Sequence, residues 1–118
     1  MKTRTDLIYR ALYNLGVTPS GQNPADEEFN AVNALVDGVV ENLWKRDIYF
    51  LQDVDVIPDA EFIHFGHILA WAAAPEFGMQ ADAAIAAKAQ RAEQDLSEID
   101  RNSIRYLHMR TMHTDYPV

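Results

Sequence analysis

Residues 80–107 read QADAAIAAKAQRAEQDLSEIDRNSIRYL, and small or apolar side chains recur there in alternating steps of four and three. The recurring positions are Ile85, Ala89, Ala92, Leu96, Ile99, Ser103 and Tyr106. This heptad-like spacing places them on one face of a helix, which we call the seam. The stretch therefore predicts a long fourth helix from about Gln80 to about Leu107. Because the first half of the seam is small, it allows a neighbouring helix to approach closely, from this chain or from another.

A third helix is predicted just before this one, and a corner separates the two. Asp59 can cap the third helix, whose apolar spacing continues to about Ala74. The spaced residues are Phe62, Phe65, Leu69 and Ala72. Pro75 cannot continue a regular helix, and Gly78 completes the corner.

The chain begins with a short amphipathic helix. Apolar residues keep helical spacing from Thr5 to Leu15, and Thr3 or Thr5 is a suitable N-cap. Gly16 follows the last apolar residue, where a left-handed glycine commonly ends a helix.

The second helix has the clearest start signal in the chain. Asn23 is a good N-cap, Pro24 is tolerated at the first helical position, and three acidic residues follow. Apolar spacing then continues to about Trp44 or Arg46. Core packing is the expected role of most large aromatic side chains, Trp44 and Trp71 included.

Between the second and third helices, residues 48–58 change pattern. Val54-Asp55-Val56 alternates and Pro58 closes the run, which indicates an extended arm or a short β-strand. The apolar run Ile48, Tyr49, Phe50 and Leu51 is unusual for a loop, so it either crosses the helices or docks on a partner.

The last eleven residues show no periodicity and are expected to form an extended C-terminal arm. The predicted organisation is thus a helical domain at residues 1–107 and an arm at residues 108–118. The fold class is mainly α: a four-helix bundle-like subunit with a short extended or β segment between helices two and three.

Composition excludes several classes of function. The chain has no cysteine, which rules out disulfides and thiol catalysis. Its net charge is −8, and residues 23–78 carry eleven acidic residues against only Lys45 and Arg46. No basic stripe is present to neutralise phosphates, so electrostatic binding of nucleic acid is not expected. No apolar run approaches membrane-spanning length, and a protein kept in solution is expected.

No catalytic residue and no cofactor site is predicted, because the chain contains none of the phosphate-binding, nucleophile-elbow or metalloprotease motifs. An enzyme is therefore not expected. The one cluster with metal-ligand residue types is Glu61, His64 and His67, at i, i+3 and i+6. His67, at i+6, lies well away from the helix face of Glu61, so this spacing is weak evidence for a metal site. The two histidines are therefore expected to be surface or interface residues.

Two stretches of the sequence, taken together, resemble one protein family. The first stretch consists of DLIYRALYNLGV at residues 6–17, a Pro/Ser/Gly loop and ADEEFNAVNALVD at residues 25–37. The second stretch runs from IP at residues 57–58 to LAWAAAPEFG at residues 69–78. This order resembles the head-tail adaptor proteins of tailed bacteriophages, also described as head-completion, tail-accessory or packaged-DNA-stabilising proteins. The resemblance covers roughly residues 5–105. The short segment between helices two and three departs from longer members, which argues against an elaborate β-hairpin.

The resemblance implies a structural virion protein of the head-tail neck, made in the host cytoplasm. Members form a ring, typically of twelve subunits, beneath the portal protein, extend the DNA channel and support the next neck or tail protein. Genomic DNA passes through the lumen without specific binding, and no membrane is involved. An extended C-terminal segment often docks on the portal or a neighbouring subunit. The expected partner-binding residues here are Ile48, Tyr49, Phe50, Leu51, His108, Met109, Met112 and Tyr116.

Two other classes of function remain open at this point. One is a helical interaction module that binds a partner helix along the Ala-rich seam without forming a ring. The other is a metal or small-molecule binder that uses the face of Glu61, His64 and His67.

Overall fold

The computed structural model describes the backbone of residues 1–79 and 82–114, and the side chains in these ranges up to residue 102. Its elements are α1 (Arg4–Leu15), α2 (Asp26–Lys45), α3 (Asp59–Ala73), a 3₁₀ turn (Ala74–Phe77) and α4 (Ala83–Thr114). The predicted mainly helical class is therefore confirmed. None of the helices in the described ranges is both long and apolar enough to cross a membrane.

Helix α3 is the centre of the core and contacts all three other α-helices. Phe65, Leu69 and Ala73 on this helix are almost completely buried. Full burial of a side chain the size of Phe65 or Leu69 contributes roughly 1.5–3 kcal/mol to folding. Helix α1 adds a continuous buried face to the same core, formed by Leu7, Ile8, Ala11, Leu12 and Leu15.

A glycine sets the distance between α1 and α3. A Cβ atom at Gly66 would lie 2.7 Å from Cγ of Arg10 and 3.4 Å from Nδ2 of Asn14. Both neighbours project from α1, and the Cγ atom is too close to its own backbone to move freely. Any larger residue at position 66 therefore requires the Arg10 side chain or helix α1 itself to shift.

Helix α1 is capped as the sequence predicts. The hydroxyl of Thr3 accepts the backbone N–H of Asp6 at 3.2 Å, and the carboxylate of Asp6 accepts the N–H of Thr3 at 2.9 Å. This reciprocal pair is a capping box, and an N-cap of this kind contributes about 1 kcal/mol. Gly16 ends the helix with a left-handed φ of 74°.

The predicted start of α2 is wrong by two residues. The helix begins at Asp26 with Ala25 in the N-cap position and no side-chain cap. Contacts to α1 hold the preceding loop in place: the hydroxyl of Tyr13 donates to the carbonyl of Gln22 at 2.8 Å. Three carboxylates in the first turn complement the helix dipole in place of a cap.

Of the extended arm or short β-strand predicted within residues 48–58, the strand is wrong, since the segment is irregular. The only β pairing among the described residues is an isolated antiparallel bridge, in which Lys2 and Ile57 exchange two hydrogen bonds of 2.8 Å. A single bridge cannot hold an extended strand, so burial of Leu51 and Ile57 in the core fixes the segment instead.

The corner before α4 matches the prediction. Pro75 lies in the 3₁₀ turn, and Gly78 reverses the chain with φ 74°. Helix α4 then begins at Ala83, where the carboxylate of Asp82 accepts the N–H groups of Ala84 and Ile85 at 2.9 and 3.2 Å. Gln80, the predicted start, lies outside the described residues.

The seam is confirmed over the part of α4 whose side chains are described. Ala89, Ala92 and Leu96 are buried, and the neighbour that covers them is α3 of the same chain. Ile85 and Ile99 at the two ends are half-buried.

Helix α4 continues to Thr114, seven residues past its predicted end at Leu107. Residues 108–114 therefore have helical backbone, and the expected extended arm is wrong over this range, while residues 115–118 lie outside the described residues. No Gly or Pro separates residue 107 from residue 114, and Met and Arg are good helix formers. At 1.5 Å per residue the helix is about 48 Å long, which dominates a molecule of 61 × 26 × 22 Å.

Candidate interaction surfaces

The four predicted partner-binding residues at 48–51 have different roles in the structure. Leu51 is buried in the core, and Tyr49 packs edge-on against Phe65 with ring centroids 5.6 Å apart. Ile48 is half-buried beside α4. Only Phe50 is well exposed, at 54% of its surface. The apolar run thus crosses the helices with three of its side chains and leaves one for a partner.

Tyr49 fixes this crossing in a partly buried site. Burial raises the pKa of the Tyr49 hydroxyl, and the nearby carboxylates of Glu61 and Asp100 raise it further. The hydroxyl therefore stays protonated under ordinary conditions, and the side chain acts as a neutral link between the 48–51 run, α3 and α4.

Phe50 is one of two exposed aromatic side chains that lie together. Its ring centroid is 6.0 Å from that of Trp44, which is 55% exposed at the end of α2. Trp44 is an exception to the core role expected of most large aromatic side chains, because the neighbouring Leu43 takes the buried position and Trp44 is turned about 100° from it on the helix. Val56, also exposed, shares a surface depression with Phe50.

Three carboxylates lie close to these apolar residues along the chain, and Asp53 shares the depression with Phe50 and Val56. Asp47, Asp53 and Asp55 are all exposed, and none of them lies within ion-pairing distance of a cation among the side chains that the structure describes. The two cations next along the chain are already paired: Lys45 with Glu41 at 2.8 Å and Arg46 with Glu93 at 2.9 Å. We call the surface formed by Trp44, Asp47, Phe50, Asp53, Asp55 and Val56 the acidic aromatic patch.

A second exposed apolar residue has the opposite electrostatic surroundings. Ile63 on α3 is 59% exposed and lies where two surface depressions meet. One depression, of about 340 Å³ between α3 and α4, is lined by Lys88 and Arg91. The other, between α1 and α3, is lined by Lys2 and Arg10. We call the surface formed by Lys2, Arg10, Ile63, His67, Lys88 and Arg91 the basic groove.

Most cations of the basic groove have no carboxylate partner among the side chains that the structure describes. Lys2 lies 5.8 Å from the ring centre of Phe62 and Arg10 lies 6.0 Å from that of Tyr13, so both rest on aromatic faces. Arg91 does reach Asp95 at 3.5 Å. Asp59, the other carboxylate at the groove, contacts the N-terminal ammonium at 3.4 Å.

The predicted metal-ligand cluster separates in the structure. Glu61 is buried near Tyr49, whereas Nδ1 of His64 points to Asp95 at 3.8 Å. Partial burial lowers the pKa of His67, and the positive charge of Lys88 lowers it further. Up to residue 102, leaving out 80 and 81, no three His, Asp or Glu side chains are placed to hold a metal ion.

The Ala-rich seam, the predicted docking face of an interaction module, is occupied within the chain. Ala89 and Ala92 are covered by α3 and are not free for a partner helix. A separate groove between α2 and α3 is lined by small residues, Ala34, Gly38 and Ala72, with Trp71 at its edge, 39% exposed. Trp71, like Trp44, therefore departs from the expected core role.

The remaining predicted partner-binding residues lie in the C-terminal region. The backbone at His108, Met109 and Met112 belongs to α4, and their side chains lie outside the described set. Tyr116 lies outside the described residues altogether.

Sequence reasoning missed the basic groove because its residues come from three separate parts of the chain. Lys2 precedes α1, Arg10 lies on α1 and Lys88 lies on α4, and no local pattern connects them. The sequence shows the acidic excess of residues 23–78, but it does not show that Trp44 and Phe50 are exposed near three of these carboxylates. In comparisons with known proteins, no family model, no curated protein and no solved structure matches this chain.

Proposed function

We propose that this chain is a head-tail adaptor subunit of a tailed bacteriophage. In this proposal the subunits form a ring, typically of twelve copies, beneath the portal protein and extend the DNA channel. The ring serves as a platform for the next neck or tail protein, and the chain acts mechanically, without a catalytic residue. The order of sequence stretches over residues 5–105 is the basis of the family assignment.

The structural observation that carries the proposal is the length of α4. Among the described side chains Leu96 is the last buried seam residue and the half-buried Ile99 follows, while the helical backbone runs on to Thr114. The last fifteen residues, 100–114, correspond to about 22 Å of helix. A helix of 32 residues in a small helical protein suits a chain that joins two larger bodies.

The charge of the chain is consistent with a channel component. The net charge is −8, and most of the acidic excess lies in residues 23–78. A lumen lined by carboxylates repels the phosphates of a passing duplex and gives no specific grip on it. DNA is therefore cargo in this proposal.

The partner-binding roles fall to Phe50, toward a neighbouring subunit, and to the C-terminal residues, toward the portal. Phe50 is the one exposed member of the 48–51 run, and exposed aromatic residues commonly dominate binding energy at protein interfaces. Residues 108–118 supply the contact with the portal in this proposal. The proposed site of action is the neck of the virion.

The experiment that tests the proposal is size exclusion with light scattering, on the chain alone and mixed with the portal ring encoded near it. The expected result is a monomer at micromolar concentration that comigrates with the portal at a near-equal subunit ratio. A chain that never joins the portal overturns the assignment.

A truncated variant without residues 108–118 sharpens this test. It keeps the whole seam up to Ile99, so it should fold like the full chain in a thermal melt. Under the proposal it no longer joins the portal ring. Normal incorporation of the truncated chain into virions contradicts the role given to the C-terminal residues.

A second function, a helical interaction module without ring assembly, has one observation in its favour. The groove between α2 and α3 is lined by Ala34, Gly38 and Ala72, which allow another helix to approach closely. Under this function the chain ignores the portal, and substitution of Gly38 by Leu, which fills the groove, abolishes binding of the partner helix.

A further inference from the structure

We infer that the basic groove of one copy of this chain binds the acidic aromatic patch of a second copy. This contact deepens the proposed function, on which it rests for its ring setting, because it names the two surfaces that join neighbouring subunits. The two surfaces share no residue, so one copy can offer its groove to one neighbour and its patch to another, and in the proposed ring this contact repeats head-to-tail from copy to copy.

The first argument is charge complementarity. In the described part of the chain, Lys2, Arg10 and Lys88 in the groove form no ion pair, and neither do Asp47, Asp53 and Asp55 in the patch. Lys45 and Arg46, in contrast, are paired within the chain, with Glu41 and Glu93. The groove therefore carries three unpaired cations and the patch carries three unpaired carboxylates, so the charges of the two surfaces are complementary.

The second argument is the apolar centre of each surface. Ile63 is 59% exposed in the groove, and Trp44 and Phe50 are 55% and 54% exposed in the patch. An apolar residue ringed by charges is the usual anatomy of a protein interface, with an apolar core and a polar rim. Trp is also among the residues that most often dominate binding energy.

The third argument concerns the choice of partner. Each copy carries one basic groove and one acidic aromatic patch, so every groove has a matching patch on another copy and no other protein is needed. Because the net charge of the chain is −8, two copies repel each other at long range. Association is favoured only in the orientation in which the cations of the basic groove meet the carboxylates of the patch. The contact is therefore specific in orientation and weak in dilute solution.

The test uses two variants of the full chain, each with one surface altered. Ile63→Ser/Lys88→Glu changes the groove, and Phe50→Ser/Asp55→Lys changes the patch. All four residues are exposed, so both variants should melt close to the unaltered chain. Glu98→Lys makes the same charge change as Asp55→Lys at an exposed site outside both surfaces and is the matched control.

Sedimentation is measured from micromolar to millimolar protein, at low and at high salt. The unaltered chain and Glu98→Lys are expected to form species larger than dimers, and salt should weaken this association. Each double variant should associate at least about tenfold more weakly.

Mixing the two double variants gives the decisive result. The groove variant still has an intact patch, and the patch variant still has an intact groove, so the mixture should form a 1:1 heterodimer and nothing larger. A monomeric unaltered chain at millimolar concentration, a groove variant that still associates, or a mixture without heterodimer overturns the inference. Failure to bind the portal, in contrast, overturns the proposed function and leaves the self-association result intact.

Discussion

The two halves of α4 have similar helical backbone but different sequence patterns. Residues 83–99 lie against α3, with Ala89, Ala92 and Leu96 buried. Residues 100–114 continue the helical backbone, and Arg101 and Asn102 near the start of this half are exposed. In the first half, tertiary packing and local preference act together, whereas in the second half the apolar spacing ends near Tyr106 and the good helix formers Leu, Met and Arg occur at residues 107–112. A helix can therefore continue beyond the apolar pattern that predicts it.

The largest expected effect comes from removing the best-buried seam side chain. Leu96 is 0% exposed, so Leu96→Ala leaves a cavity between α3 and α4 and should cost about 2–5 kcal/mol of unfolding free energy. The measurement is urea unfolding followed by circular dichroism. Arg101→Ala, at an exposed position in the second half, is the control and should change stability by no more than about 0.5 kcal/mol. Equal effects at the two positions would contradict the comparison.

A second substitution tests whether small seam residues set the distance between α3 and α4. Ala92→Leu adds bulk where only 2% of the residue is exposed and should cost roughly 1–3 kcal/mol. Ala84→Leu adds the same bulk at an exposed position of α4 and should leave the thermal midpoint nearly unchanged. If Ala92→Leu is also neutral, the close approach along the seam is not required.

The third prediction concerns pH and a side chain packed beside the first half of α4. Burial and the charge of Lys88 lower the pKa of His67 from its ordinary value of 6.5. The unfolded chain therefore binds this proton more readily, so stability should fall as the pH drops below 6.5 and level off below the folded pKa. Urea midpoints above and below this value should fall less for His67→Gln than for the unaltered chain. An identical pH dependence in the two proteins would show that His67 does not contribute.

The smallest effect is expected at the end of the second half. Deletion of residues 108–118 removes helical backbone but no described core residue, so the unfolding free energy should change by no more than about 0.5 kcal/mol. The helical signal in circular dichroism should fall in proportion to the seven helical residues lost, 108–114. A large loss of stability would mean that the second half packs on the core after all.

What the sequence predicts well is what depends on local spacing. The seam from Ile85 to Ile99, the cap at Thr3 and the corner at Pro75 and Gly78 all follow from periodicity or from the conformational limits of single residues. Burial of Leu51 and Ile57 does not follow in this way, because it depends on which helices surround the segment. The same segment was expected to be extended or β, but its pairing partner is only the short stretch around Lys2.

The candidate surfaces were harder to predict than the helices. Trp44 lies one position from the buried Leu43, and composition alone does not tell which of two adjacent apolar residues turns inward. The basic groove combines Lys2, Arg10 and Lys88 from distant parts of the sequence, so it exists only once α1, α3 and α4 have packed. The end of α4 at Thr114 could not be predicted from apolar spacing, because residues 108–114 lack such spacing and a helical backbone can continue without it.

The length of α4 makes it a lever. From the buried Leu96 to Thr114 the helix axis spans about 27 Å. A tilt of about ten degrees at the contact with α3 would displace the far end by about 5 Å. Small rearrangements around Ala89 and Ala92 are thus magnified at the tip, and whatever is attached there receives a displacement large enough to make or break its own contacts.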